Sequence, residues 1–363
     1  MRNGALAGAA AAVISCGSDA GNDQAAGAAA ASELPRVSWR LATSWPKTID
    51  LLQNSPLRLA DNMRVMSGGR FTIEVDSATK TKAPLDVFDF VRSNQFQMGH
   101  SASYYWKGKD PATLPFTTMP FGLTAQEQGA WFWYGGGVDM MNKVYAKHGM
   151  YSFPGGNTGL QMGGWFRKPI NSLADLQGLK MRIPGLAGEI LARLGVSPTN
   201  IPPGELYTAL ERGVVDAVEW INPYLDLAMG LQKIAKYYYS GWHEPGAETQ
   251  FLVNRAAFDE LPDVYKSMLH VAMKESGFDM LCESMMRNIE TWHDFPQTCP
   301  DVHVGPLPDD VLLELKRQSA IVNAEIAAES PEFAEVLEHQ NQFLKTVAPW
   351  TAISEQNYLE VRA

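Results

Sequence analysis

Cysteine is scarce in this chain of 363 residues: only Cys16, Cys282 and Cys299 are present. Three thiols cannot make a disulfide framework, and past Cys16 only one pairing is open. The reading adopted is two unpaired thiols at Cys282 and Cys299. No run of lysines and arginines occurs, and 30 basic against 40 acidic residues give a formal net charge of -10. An acidic surface without a basic stripe repels phosphate backbones, which excludes nucleic acid as the partner. Past the N-terminal stretch, no segment holds the roughly 18 continuous apolar residues that a membrane span needs.

Catalytic signatures are missing too. There is no nucleophile elbow, no His-Glu-x-x-His and no Walker loop, and Gly155-Gly156 and Gly163-Gly164 form no dinucleotide fingerprint. The seven histidines are scattered, with no i, i+4 pair for a transition metal. His100 reads as a structural histidine. Gly135-Gly136-Gly137, which follows Trp131-Phe132-Trp133-Tyr134, reads as a packed aromatic turn. The sequence therefore points to binding without chemistry, and to no organic cofactor.

What is present is a long chain of ordinary globular composition, 45% hydrophobic and 19% charged. That length exceeds what one core usually organises, so two lobes are expected. Residues 1–34 read as an export signal and linker: one early arginine, an Ala/Gly-rich stretch, then small residues. Val13-Ile14-Ser15-Cys16 resembles a lipobox that would place a lipid on Cys16, and cleavage near Ala29–Ala31 is the alternative. The expected location is the periplasm.

From Val37 a β-α-β-α-β rhythm predicts a mainly parallel sheet with helices on both faces. Strands are predicted at Val37–Ala42, Phe71–Val75 and Gln97–His100, with Gly68-Gly69 stopping the helix between the first two. A second unit follows, with strands at Leu160–Phe166, Lys180–Ile183 and Val214–Trp220. Ser172 with Asp175 makes a capping box for a short helix. Long helices are expected over Ser267–Glu290 and Asp309–Glu329. The fold class is α/β and periplasmic-binding-protein-like, two lobes joined by a hinge with the ligand in the cleft. Lobe 1 is assigned to 35–153 and 246–330, lobe 2 to 154–245, and a C-terminal helical segment to 331–363.

Arg182 ends a short strand just before Pro184-Gly185. Open α/β sheets bind ligands outside the carboxyl ends of their strands, and a guanidinium there offers a planar fork for a carboxylate. A surface salt bridge is the plain alternative. Glu219 ends another strand of the same lobe. Two like charges at one cleft repel, so either Glu219 faces solvent or a cation sits there with Glu219 and the Gln161 amide oxygen as hard ligands. Replacing Arg182 with methionine is then expected to abolish carboxylate binding and to leave the apo melting temperature unchanged.

The run Lys168-Pro169-Ile170 through Leu173-Ala174-Asp175-Leu176-Gln177-Gly178-Leu179-Lys180-Met181-Arg182-Ile183-Pro184-Gly185 resembles the DctP-type solute-binding subunit of tripartite ATP-independent periplasmic (TRAP) transporters. The likeness extends from Trp39 to Tyr358 and puts the family's clamping arginine on Arg182. Further segments resemble the branch that binds 2-oxo acids or other short monocarboxylates with a cation: Trp39–Ser44, Tyr104-Tyr105-Trp106, Phe153–Gly159, Gln161–Phe166, Glu219-Trp220 and Gly241-Trp242. The resemblance implies Arg182, Gln161, Trp220, Ser44, Tyr104, Tyr105 and Asn157 as substrate-binding residues. For the cation, sodium or calcium, it implies Gln161, the Glu219 side chain, the Trp220 backbone oxygen and, more weakly, Glu244. The ligand would be a 2-oxo or 2-hydroxy acid such as pyruvate or lactate, delivered to the transporter's membrane subunits. A homodimer that exchanges its C-terminal helix is also implied. A sensor module or enzyme on the same fold is the rival reading. Two departures bear on the pocket: His243 stands where the branch usually has an aromatic residue, and Ser77–Pro84 lacks the family's acidic turn.

Overall fold

The structure, a computed structural model, describes residues 34–362. The expected export segment, Cys16 included, lies outside the described residues. Val37–Thr43 (β1) alternates inward and outward as far as Leu41 and is then buried on both faces. It pairs in parallel with Phe71–Asp76 (β2) on one side and Met98–Ser101 (β3) on the other. Gly68 and Gly69 take φ of +60° and +76° after the helix Asp50–Met66, a conformation cheap only for glycine, and so turn the chain into β2. Met150–Asn157 (β4) and Glu248–Asn254 (β10) complete this first sheet, whose order is β2-β1-β3-β10-β4. The β10 strand, Glu248–Asn254, runs antiparallel between β3 and β4 and is buried along its whole length.

The second sheet has shorter strands: Gly164–Phe166 (β5), Lys180–Arg182 (β6), Ser197–Thr199 (β7), Ala217–Val218 (β8), Tyr237–Tyr239 (β9) and His303–Gly305 (β11). Its order is β11-β9-β5-β8-β6-β7. Ser172 and Asp175 make their capping box, although the turn they start is the 3-10 segment Leu173–Leu176. The predicted strands Leu160–Phe166 and Val214–Trp220 each shrink to their last or central residues.

One expected boundary needs correction. Segment 246–330 was assigned wholly to lobe 1, yet β11 pairs with β9 of the second sheet, and the helix Asp309–Glu329 packs on Gly185–Arg193 of that lobe. β11 is a three-residue edge strand whose residues are exposed or half-buried, so it carries no apolar alternation to betray it.

The helix Asp263–Thr298 spans 36 residues, about 54 Å at 1.5 Å per residue. It packs on Asp50–Met66 and β4 of the first lobe and on Pro223–Met229 of the second, so it braces both. Cys282, on this helix, and Cys299, at its end, are therefore about 25 Å apart along the helix axis, far beyond disulfide reach. Both are free.

Two contacts close the cleft rim. The Tyr224 hydroxyl donates to Asp50 Oδ2 at 2.7 Å, and Lys107 Nζ meets Glu189 Oε1 at 2.6 Å. Each joins a residue of one lobe to a residue of the other. Tyr224→Phe is expected to raise the ligand dissociation rate about 3- to 10-fold, the worth of one such hydrogen bond. Stopped-flow tryptophan fluorescence reads this, and an unchanged dissociation rate would remove the latch role.

Candidate functional site

β6 and β8 are parallel neighbours, with Arg182 opposite Val218 in the register. Their carboxyl ends therefore leave the sheet together. The Glu219 N–H donates to the Arg182 carbonyl at 3.0 Å, and Arg182 Nη1 donates back to the Glu219 carbonyl at 2.6 Å and to Glu219 Oε2 at 3.1 Å. Arg182 Nε donates to the Ile201 carbonyl at 3.4 Å. Both side chains are fully buried, with Arg182 1% and Glu219 0% exposed. The arginine is not a surface residue, which settles the alternative left open by the sequence. Its Nη2 has no partner, although it is buried. Its Cζ lies 5.3 Å from the Trp220 ring centre, a cation–π contact.

Two crossing segments bring the remaining groups. The Gln161 N–H donates to the Glu244 carbonyl at 3.0 Å, which stitches the β4–β5 crossing to the β9–β10 crossing. Gly241 makes this approach feasible, because a methyl group there would overlap the Gln161 carbonyl oxygen. Gln161 Nε2 donates to Thr158 Oγ1 at 2.9 Å, so the amide is oriented and its Oε1 is left buried and unpartnered. Glu219 Oε1, Glu244 Oε2 and both ring nitrogens of His243 are equally buried and unpartnered. Glu219, His243 and Glu244 offer donor atoms within 4.8 Å of one another. Buried polar groups are nearly always paired, so orphans of this kind gathered at one place mark a site for a ligand and an ion.

The electrostatics carry the same message. Burial pushes the Glu219 carboxyl well above its ordinary value, and Arg182 opposes that. Burial, then repulsion from Glu219, raises Glu244 to about 8. Burial lowers His243. The two carboxylates share a pocket that one arginine cannot neutralise.

Beside this cluster lies a cavity walled by Trp45, Tyr104, Tyr105 and Thr249 from one lobe and by Gln161 and Trp220 from the other side. The Tyr104 and Tyr105 rings meet edge to face at 5.0 Å. Burial raises both phenols, Tyr105 to about 12, so both remain neutral donors.

Of the nine residues singled out in the sequence, Arg182, Gln161, Trp220, Glu219, Glu244, Tyr104 and Tyr105 come together here. Ser44 and Asn157 do not present their polar groups to the cavity. Ser44 Oγ is 2.6 Å from Ser101 Oγ and joins β1 to β3. Asn157 Nδ2 donates to Gln128 Oε1 and Glu248 Oε2, both at 3.0 Å, while its Oδ1 accepts from the Gly159 N–H. Every polar atom of that amide is engaged in holding the lobe together. His100 is structural as expected: it accepts from Trp45 Nε1 at 2.8 Å, lies 3.1 Å from both the Gly155 carbonyl and Thr249 Oγ1, and is pushed to about 4 by burial. Sequence reasoning left out His243 as a member of the cluster, and Glu248 and Thr249 as cavity wall. Only His243 carried a signal, its place between Trp242 and Glu244.

The family model for "Bacterial extracellular solute-binding protein, family 7" (DctP) matches residues 41–330. The Monocarboxylate 2-oxoacid-binding periplasmic protein all3028 of Nostoc sp. (strain PCC 7120) is 38% identical over 359 residues, 99% of this chain and 96% of its own. A TRAP periplasmic solute-binding protein from Pseudoalteromonas atlantica T6c, solved with bound sodium and pyruvate, superposes with a TM-score of 0.88 at 50% identity, covering 90% of this chain and 99% of that one. Another from Colwellia psychrerythraea, with bound calcium and pyruvate, gives the same TM-score, identity and coverage. The two-sheet architecture, the strand-end arginine and these matches agree: the chain belongs to the DctP family of extracellular solute-binding proteins, the periplasmic receptors of TRAP transporters.

Proposed function

We propose that this receptor captures a short 2-oxo or 2-hydroxy monocarboxylate together with a cation, and delivers it to the TRAP membrane subunits. The observation that carries the reading is the unpartnered Arg182 Nη2, buried beside an excess of unpartnered carboxylate and amide oxygen. Nη2 offers its two donors to the ligand carboxylate, and the neutral phenols of Tyr104 and Tyr105 supply further donors from the opposite lobe. The orphaned oxygens of Gln161, Glu219 and Glu244 fit a hard cation, and the Trp220 backbone oxygen is assigned to the same shell. When bound, the ion neutralises the carboxylates that would otherwise repel the anionic ligand. The aromatic wall sets the size of the chain carried by the carboxylate.

The test is a thermal-shift and calorimetric titration of the chelator-stripped protein with pyruvate, lactate and succinate, each with and without calcium or sodium. Pyruvate or lactate is expected to stabilise the protein only when a cation is present. Equal binding with and without cations, or a preference for succinate, would sink the reading.

Two finer points belong to the same proposal. Lipidation at Cys16 would tether the exported protein, and the mass of its N-terminal peptide decides this. A second copy would cover the apolar side chains left exposed past the packed part of the helix Pro331–Thr351, among them Trp350 and Ile353. The first half of that helix packs on its own chain through buried Phe333 and Val336, so light scattering must decide the dimer.

A further inference from the structure

We propose that Glu248 sets the charge specificity of the ligand's tail: its carboxylate, in the cavity wall apart from the ion cluster, rejects any acid that carries a second carboxylate. The inference rests on the receptor reading above and deepens it, by naming the residue that restricts the ligand to one carboxylate. Glu248 opens β10 and lines the same cavity as Tyr104, Tyr105, Gln161 and Trp220, yet is only 7% exposed. The Gly156 N–H donates to its Oε1 and Asn157 Nδ2 to its Oε2, both at 3.0 Å. Its own N–H donates to the Thr117 carbonyl at 2.9 Å. The side chain is thus held against β4, in place before any ligand arrives.

Two donors do not exhaust a carboxylate, whose oxygens offer about four acceptor sites. What it lacks is a cation. Among the described residues, no positive charge stabilises it, and the charges of Arg182, Glu219 and Glu244 do not act on it. Burial raises it to about 7, and the hydrogen bonds from Gly156 and Asn157 oppose that rise. At pH 8 it is therefore mostly ionised, buried and without a counter-ion.

The rest of the wall gives a second anion no charge to pair with. Leu52, Ala102, Ile221 and Ala247 are apolar, and no lysine or arginine among the described residues lines the cavity. Three hydroxyls of the wall are already bonded within the protein. Thr117 Oγ1 lies 2.8 Å from Ser103 Oγ, Thr158 Oγ1 accepts from Gln161 Nε2, and Thr249 Oγ1 donates to the Gly156 carbonyl at 2.8 Å. An apolar tail rests on the aliphatic residues, and a tail hydroxyl can donate to Glu248. A tail carboxylate instead puts two like charges into one buried space. Discrimination of this kind works by penalising the wrong ligand rather than by adding contacts to the right one.

The experiment is calorimetric titration of the full chain at pH 8, with calcium present, using pyruvate, 2-oxohexanoate and 2-oxoglutarate. The last two are of similar length and differ in the charge of the tail. The wild type is expected to bind 2-oxohexanoate at least about 10- to 100-fold more tightly than 2-oxoglutarate. Glu248→Gln should bring the two within about threefold of each other and move pyruvate affinity by no more than about threefold. Glu248→Asp, which keeps the charge, should keep the exclusion. Apo melting curves check that each variant folds, and the wild-type series decides without a variant if neither does. Equal wild-type affinity for 2-oxohexanoate and 2-oxoglutarate overturns the proposal, whether both bind or length excludes both. So does a folded Glu248→Gln that still rejects 2-oxoglutarate. A wild-type protein that fails to bind pyruvate with calcium sinks the receptor reading instead.

Discussion

Arg182→Met is expected to abolish monocarboxylate binding and also to lower the melting temperature of the apo protein. Two charge-assisted hydrogen bonds from the guanidinium to a carboxylate are together worth about 3–6 kcal/mol, which is roughly a 10²- to 10⁴-fold loss of affinity. The second effect departs from the sequence-based expectation of an unchanged apo melting temperature. That expectation pictured a strand-end side chain in an open cleft. Among the described residues, Arg182 is the only arginine or lysine paired with the buried Glu219, and its removal leaves an uncompensated carboxylate, a loss of about 3–5 kcal/mol if the charge persists.

Glu219 will evade part of that cost by taking up a proton. Its folded pKa is already above the unfolded value, and without Arg182 it rises further. A group with a raised pKa contributes stability below its unfolded pKa and loses it as the pH climbs through the folded pKa. The deficit of Arg182→Met should therefore be larger at pH 8 than at pH 5.5. Arg182→Lys separates the two effects. It restores the charge, and with it much of the melting temperature, but not the planar fork, so binding remains weak. Calorimetry with pyruvate and thermal melts at both pH values check this. Undiminished binding in Arg182→Met, or an apo deficit independent of pH, would refute the assignment.

The pairing of Arg182 with Glu219 was legible because both end strands of the same lobe, and parallel neighbours deliver their last residues to one edge. The first sheet was legible for a related reason. β1, β2 and β3 carry alternation or continuous burial over several residues, and glycines or proline mark their ends. The second sheet was harder to read. β7 and β11 are three-residue edge strands, with Pro198 in one and exposed or half-buried residues in the other, so hydrophobic pattern gives no purchase on them. The return of 303–329 to the second lobe is a consequence of that same edge pairing. Ser44 and Asn157 show a different limit. Their neighbours Trp45 and Thr158 do line the cavity, while the Ser44 hydroxyl is taken up by Ser101 and the Asn157 amide by Gln128, Glu248 and Gly159. A matched segment thus locates a site to within a residue or two, and only coordinates say which residue of the pair faces in.

Cation uptake should release protons and strengthen as the pH rises to about 8. Burial and the neighbouring Glu219 hold Glu244 at about 8, and burial holds Glu248 at about 7, both against an unfolded value near 4.5. In the apo protein these carboxyls keep protons that the unfolded chain has lost. Their contribution to apo stability is accordingly full below about pH 4.5 and is lost as the pH rises through about 8. An ion that needs Glu244 as carboxylate must displace its proton at neutral pH, and each such proton weakens apparent affinity by up to tenfold per pH unit below the folded pKa. Between pH 6 and pH 8 the calcium affinity should thus rise about 10- to 100-fold, then level off. Melting curves from pH 5.5 to 8.5, with and without calcium plus pyruvate, should show the apo curve falling and the gap between the two widening. Titration in phosphate and in Tris, whose ionisation enthalpies differ, counts the protons released. Glu244→Gln should flatten the rise, so a wild-type affinity flat across this range would remove Glu244 from the ion's shell. On the proposed reading the anion-binding cleft is acidic because the ion and the ligand arrive as a pair, and the proton held by Glu244 occupies its carboxyl until they do.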